Sequence, residues 1–167
     1  GEAHRWEEQT MIYRTNAVAA LLLFSVSAPV LADSGTFEHT HCFAGTTQTL
    51  KHSDGNVANV VSFRGTIRAA TSGQVFDNMS TQCVGLYGQL EGNTFSQGFC
   101  EYFDNDSDRV FIRYQRQGTE GTLQSVSGIG KYRGMTLDAT YSNVMRFPQT
   151  PGFLQGCAQV RGRWERN

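Results

Sequence analysis

From Met79 to Gly134 the chain is a series of short apolar runs, cut at near-regular intervals by Gly, Asn, Asp and Ser. Turn signals fall at Glu91-Gly92-Asn93, Asn105-Asp106-Ser107, Gln117-Gly118 and Gly128, roughly the spacing an antiparallel meander requires. The rest of the chain beyond residue 32 has the same character. It holds 17 of the 18 glycines, nearly twice the average usage of about 7%. Abundant glycine, scarce proline and no long helical pattern point to an all-β domain.

Taken in order, Gly35–Ala44 predicts a first strand and Thr46–Lys51 a short second one. The turn signal Ser53-Asp54-Gly55-Asn56 follows. Val57–Ile67 is β-branched and aromatic, as a strand should be, and Ala69–Ser80 reads as a loop. Gln82–Leu90 and Thr94–Phe103 form the clearest hairpin. One face carries Val84, Leu86, Leu90, Phe95, Phe99 and Phe103; the other carries Cys83, Tyr87, Cys100 and Tyr102. Two half-buried faces of this kind suit a barrel with a lined interior. Arg109–Arg116, Thr122–Val126 and Met135–Met145 continue the series. Phe147–Gly156 contains Pro148 and Pro151 and cannot be a central strand. Cys157–Glu165 closes the chain. The expected fold is a closed antiparallel barrel of about eight strands.

All four cysteines (Cys42, Cys83, Cys100 and Cys157) lie beyond residue 32. None of their spacings is C-x-x-C, and an even count in an exported chain implies two disulfides. With Glu91-Gly92 as a two-residue loop, Cys83 stands directly opposite Cys100; with Gly92-Asn93 the two are diagonal. Either register leaves them on one face. Cys42 belongs to the first strand and Cys157 opens the last, and a closed barrel brings those strands together. The expected pairs are therefore Cys83–Cys100 and Cys42–Cys157.

The compartment is read from residues 11–32, MIYRTNAVAALLLFSVSAPVLA. Arg14 supplies a basic start, Ala17–Val26 is an apolar run of secretory length, and Val30-x-Ala32 fits a cleavage site. The run is shorter than the roughly 20 apolar residues of a membrane span, and no cysteine follows it for lipid attachment. Residues 11–32 are thus expected to be a signal peptide rather than a buried N-terminal helix, residues 1–10 upstream sequence or an expression remnant, and residues 33–167 a single barrel domain, periplasmic or secreted from a bacterial envelope. After removal of residues 1–32, 12 basic and 12 acidic side chains remain. That balance argues against nucleic acid or an anionic membrane surface as a partner.

The segment Val126-Ser-Gly-Ile-Gly-Lys-Tyr-Arg-Gly134 resembles the G-x-G-K-[YF]-x-G turn of the allene oxide cyclase and dirigent type of barrel, loosely called calycin-like. The chain is also similar to a group of small exported bacterial proteins with H-x-H-C, M-S-x-x-C-x-G and L-Q-x-C segments, here His39–Cys42, Met79–Gly85 and Leu154–Cys157. The first resemblance implies a closed eight-stranded barrel. Its plant members either cyclise an unstable fatty-acid epoxide or steer phenoxy-radical coupling. It carries no catalytic residue onto this chain, and Gly128, Gly130 and Gly134 only as structural glycines. Independently of it, tight strand connections often need a positive φ, which glycine adopts without steric cost.

Few residue patterns suggest chemistry. His39 and His41 share a strand face and, with His52, would supply three imidazoles to zinc or copper; the alternative is ordinary strand histidines, and no cofactor is expected. Asp104, Asp106 and Asp108 resemble half a calcium loop, but Arg109 stands where its glycine belongs and Gln115 where its last carboxylate belongs. An acidic turn is the better account. Arg113, Arg116 and Arg133, with Tyr114 and Tyr132, would make either an anion-binding rim or a solvated strand face. No G-x-S-x-G occurs and no histidine follows His52, so a hydrolase of that order is not supported. What remains is a barrel binding a small apolar or aromatic ligand, lined by candidates from both hairpin faces: Tyr87, Phe95, Phe99, Tyr102 and Phe103. A cyclase or isomerase in the same cavity is the alternative, favoured by a cavity-facing Glu101 or Asp138 bonded to a tyrosine. A filled barrel would leave a structural or interaction module.

N-terminal sequencing of the exported protein should begin at or near Asp33. A mature chain that retains Met11–Leu31 would refute the export reading.

Overall fold

The computed structural model describes residues 33–148 and 150–167; the expected signal peptide and the ten residues before it lie outside these. Eight strands run antiparallel in chain order and close on themselves. They are β1 (Asp33–Ser53), β2 (Asn56–Ala69), β3 (Met79–Leu90), β4 (Asn93–Phe103), β5 (Arg109–Gln117), β6 (Glu120–Ile129), β7 (Met135–Arg146) and β8 (Phe153–Arg166). The expected break near Gly45 is absent: β1 is one strand of 21 residues. Gly45 marks a close approach instead, since a Cβ there would overlap the backbone of Ser62 and Phe63 on β2.

The β3–β4 hairpin turns on Glu91-Gly92, with φ of 51° and 83°. Two successive positive φ values define the turn that matches strand twist, and they place Cys83 opposite Cys100. The barrel closes where β1 pairs with β8, from Asp33↔Arg166 to Thr46↔Phe153, with Cys42 opposite Cys157. Both expected disulfides are present. Cys83–Cys100 lies on the inner face; Cys42–Cys157 is on the outer face and crosses the closing seam.

Side chains alternate along each strand, and the inner face of the hairpin is the cysteine and tyrosine face. Cys83, Cys100 and Tyr102 are buried, whereas Val84, Leu86 and Phe99 are exposed. Phe99 stacks flat on Phe111 outside the barrel. The more aliphatic face thus points outward, and the cause is volume. Inside, Gly85 and Gly98 leave the gap that the Tyr114 hydroxyl occupies. A Cβ at either position would overlap it.

The two ends of the barrel differ. At one end, residues 70–78 fold across the opening and insert Phe76, which is 1% exposed. Phe76 has φ 67° and Asn78 φ 60°. Such left-handed backbone costs roughly 1–2 kcal/mol for a residue with a Cβ. Burying the Phe76 ring contributes roughly 1.5–3 kcal/mol, and Asp77 fixes the loop by accepting bonds from the Ala69 and Gly73 amides. The same end is closed by the 3-10 turn Gly130–Tyr132, whose Tyr132 stacks on Phe76. Here the glycine motif has its physical reason. Gly130 (φ 62°) and Gly134 (φ 72°) are left-handed, and a Cβ on Gly128 would overlap the Tyr132 carbonyl. The three aspartates serve this closure. Asp104 accepts from the Asp106 and Asp108 amides and pairs with Lys131 at 2.5 Å, as an acidic turn rather than a calcium loop.

The chain-entropy account of disulfides predicts a larger effect for the seam bridge, which joins residues 115 apart, than for the hairpin bridge, which joins residues 17 apart. The stabilisation should be close to 5 kcal/mol against about 3 kcal/mol. Urea unfolding of Cys157→Ser and Cys100→Ser should therefore show the greater loss in Cys157→Ser; the reverse order would contradict this.

Candidate functional site

A cavity of about 530 Å³ occupies the half of the barrel away from the Phe76 seal. It opens at the end bearing the β3–β4 turn, between Val57, Gln89, Thr94, Asn143, Met145 and Gln155. Its walls are mainly apolar, from Phe43, Val61, Phe63, Leu123, Leu154 and Val160, and the inner disulfide contributes Cys100. Polar side chains also line it, with Gln89, Thr94, Asn143 and Gln155 at the opening and two hydrogen-bonded pairs behind them.

The deepest pair is His41 with Thr81. Gly65 makes it possible: a Cβ there would stand 2.6 Å from the His41 Nε2. Across this gap, His41 Nε2 meets Thr81 Oγ1 on β3 at 2.8 Å. Tyr102 packs edge-on against the same imidazole, its ring centroid 5.9 Å away. Burial holds the His41 pKa down at about 4 and pushes the Tyr102 hydroxyl above its ordinary range. At neutral pH, then, His41 is uncharged and a weak base, and Tyr102 keeps its proton.

His39 lies beyond His41 in the closed half. Phe37 stacks on it, and Phe76 and Tyr102 meet it edge-on. Neither of its ring nitrogens has a hydrogen-bond partner. Burial, assisted by His41, lowers its pKa to about 3. An unpartnered buried imidazole is tolerable only uncharged.

A second polar group sits near the mouth. Ser96 on β4 is the register partner of Arg116 on β5, which is in turn opposite Gly121 on β6. The ring of Tyr141, from β7, lies in the space a Cβ on Gly121 would fill and brings its hydroxyl to 3.1 Å from Ser96 Oγ. Burial raises the Tyr141 pKa, with Ser96 and the Arg116 charge acting against it. Asn59, which accepts a bond from Thr49 at 2.6 Å, and Tyr87 and Tyr114 also line the cavity.

The sequence-derived candidates divide cleanly. Tyr87 and Tyr102 line the cavity. Phe99 points outward and is 41% exposed, and Phe95 and Phe103 are half-buried outside the lining. His52 is exposed at the far end of β1, about 36 Å of strand beyond His41 at ~3.3 Å per residue. The three-histidine metal site therefore does not assemble, and no cluster of three or more His, Cys, Asp or Glu among the described residues is suited to a metal ion. The arginine–tyrosine rim does not form either. Arg116 and Tyr114 face inward, Arg113 is exposed and bonded to Gln124, and Tyr132 is at the closed end. Glu101 and Asp138 both face outward, toward Arg109 and Arg163. Inward glycines that open gaps for rings on other strands are the sequence signal for Tyr114 (Gly85 and Gly98) and Tyr141 (Gly121).

No protein-family model and no curated protein matches the chain. Among solved structures it is similar to that of the pterocarpan synthase dirigent protein GePTS1, with a TM-score of 0.50, 9% sequence identity, and coverage of 81% of this chain and 91% of that one. At that identity the likeness concerns the fold alone: the chain forms a dirigent-like eight-stranded barrel.

The buried histidines make stability pH-dependent in a defined direction. Both pKa values are lowered on folding, from 6.5 to about 3 and about 4. The unfolded chain therefore binds protons first as the pH falls. Their contribution is complete above about pH 6.5 and declines toward pH 4, by on the order of 3 kcal/mol for each histidine. Urea titrations from pH 7 to 4 should show this decline, and His39→Phe or His41→Gln should flatten it. A slope unchanged in both variants would assign the effect to carboxylates instead.

Proposed function

We propose that this protein is exported and binds one small apolar or aromatic molecule inside its barrel. The observation that carries this is the cavity: about 530 Å³, open at one end, apolar along most of its wall. Ligand sites typically measure about 300–1,000 Å³ and combine apolar walls with a few placed polar groups. The closed end supports the same reading, since Phe76 and Tyr132 seal the barrel beyond Tyr102, which lines the cavity. Export is supported by the secretory pattern of residues 11–32 and by two disulfides, which belong to oxidising compartments.

Catalysis of the allene oxide cyclase or dirigent type is the second reading, favoured by the barrel type and by the enclosed inner half of the cavity. The lining is better suited to holding a molecule than to moving protons. It contains no Asp or Glu, its histidine is a weak base, and its tyrosines remain protonated. A filled structural barrel fits this interior less well than either.

Titration with the neutral probe N-phenyl-1-naphthylamine should give saturable binding at one site per chain. Tyr87→Asp places a charge in the lining and should weaken that binding at least about tenfold. Phe99→Asp, outside the barrel, should leave it nearly unchanged. Non-saturable binding, or equal loss in both variants, would overturn the reading.

A further inference from the structure

Arg116 bears the lining's one formal charge when His41 is neutral, and no carboxylate faces it across the cavity. It makes no ion pair among the described residues. Its Nε is buried without a hydrogen-bond partner, whereas an arginine placed only for solubility keeps its polar atoms in water. The register sets Ser96 beside it, and the Gly121 gap brings the Tyr141 hydroxyl to the same place. A guanidinium, a phenol and a serine hydroxyl thus converge near the mouth of a chamber whose other lining side chains carry no charge when His41 is neutral. All three can donate hydrogen bonds, and only one is charged.

We propose that the ligand is an organic carboxylate, its apolar body directed toward His41 and Tyr102 and its head group received by Arg116 beside the Ser96–Tyr141 pair. This rests on the ligand-binding reading of the cavity and adds the chemical class to it. A planar carboxylate matches the guanidinium fork, and the bond is charge-assisted. A bound molecule that covers the guanidinium without pairing it costs more than one that covers a neutral group in the same way. The site therefore discriminates against neutral analogues of the same shape, which fill the chamber and leave Arg116 bare.

The test compares 2-naphthoic acid with 2-naphthalenemethanol by calorimetric titration, at a pH where the acid is ionised. The folded chain should bind the acid about 10- to 100-fold more tightly than the alcohol. Arg116→Gln should remove most of that preference while the alcohol's affinity stays within about threefold; circular dichroism and thermal melting check that the variant is folded, and Arg116→Lys should keep part of the preference. Should the acid and alcohol bind alike, or Arg116→Gln weaken both equally, the carboxylate assignment falls and the ligand-binding reading stands. Should neither compound nor the neutral naphthylamine probe bind, both fall together.

Discussion

The ladder between β1 and β8 is the constraint on which the rest depends. While Asp33 through Thr46 pair with Arg166 through Phe153, every strand has two neighbours and the barrel has no edge. Closure also limits what fits within. An eight-stranded barrel has an interior just wide enough for side chains or one small ligand. Each inward ring must then find space on a neighbouring strand. Gly65 makes that space for His41, Gly85 and Gly98 for Tyr114, and Gly121 for Tyr141. Inward glycine positions are therefore part of the packing.

That packing is uneven along the axis, and the unevenness makes a site. In the closed half, Phe37, His39, Phe76, Tyr102 and Tyr132 form a continuous set of ring contacts. Phe76 reaches its place through left-handed backbone, and Lys131 and Tyr132 are tied to Asp104 over the same opening. In the open half, glycines and smaller residues leave room. The closed end is thus filled by aromatic rings, while the cavity's one arginine sits near the mouth.

Electrostatics follow the same division. The two histidines beneath the cavity are uncharged at neutral pH because burial penalises their charged forms. The acidic side chains Glu101, Asp104 and Asp138 are engaged on the outside or at the closed end. Arg116 is left as the cavity's cation when the histidines are neutral. A single charge within apolar walls suits an amphiphilic ligand better than a polar or a purely hydrocarbon one.

Much of this was legible in the sequence, because local rules governed it. Turn residues at regular intervals set the strand series, the Glu91-Gly92 turn was one of two registers that keep Cys83 and Cys100 on one face, and closure of the barrel brought the strands of Cys42 and Cys157 side by side. Other features depended on residues distant in sequence. Alternation shows that Tyr87 and Phe99 lie on opposite faces, but not which face turns inward. Hydropathy favoured the phenylalanines; volume chose the tyrosines, since only the face bearing Gly85 and Gly98 could admit a ring from β5. Likewise, Arg116 was one of three arginines indistinguishable by spacing. Its pairing with Ser96, and the passage of Tyr141 over Gly121, bring together four strands, and only the closed barrel decides that.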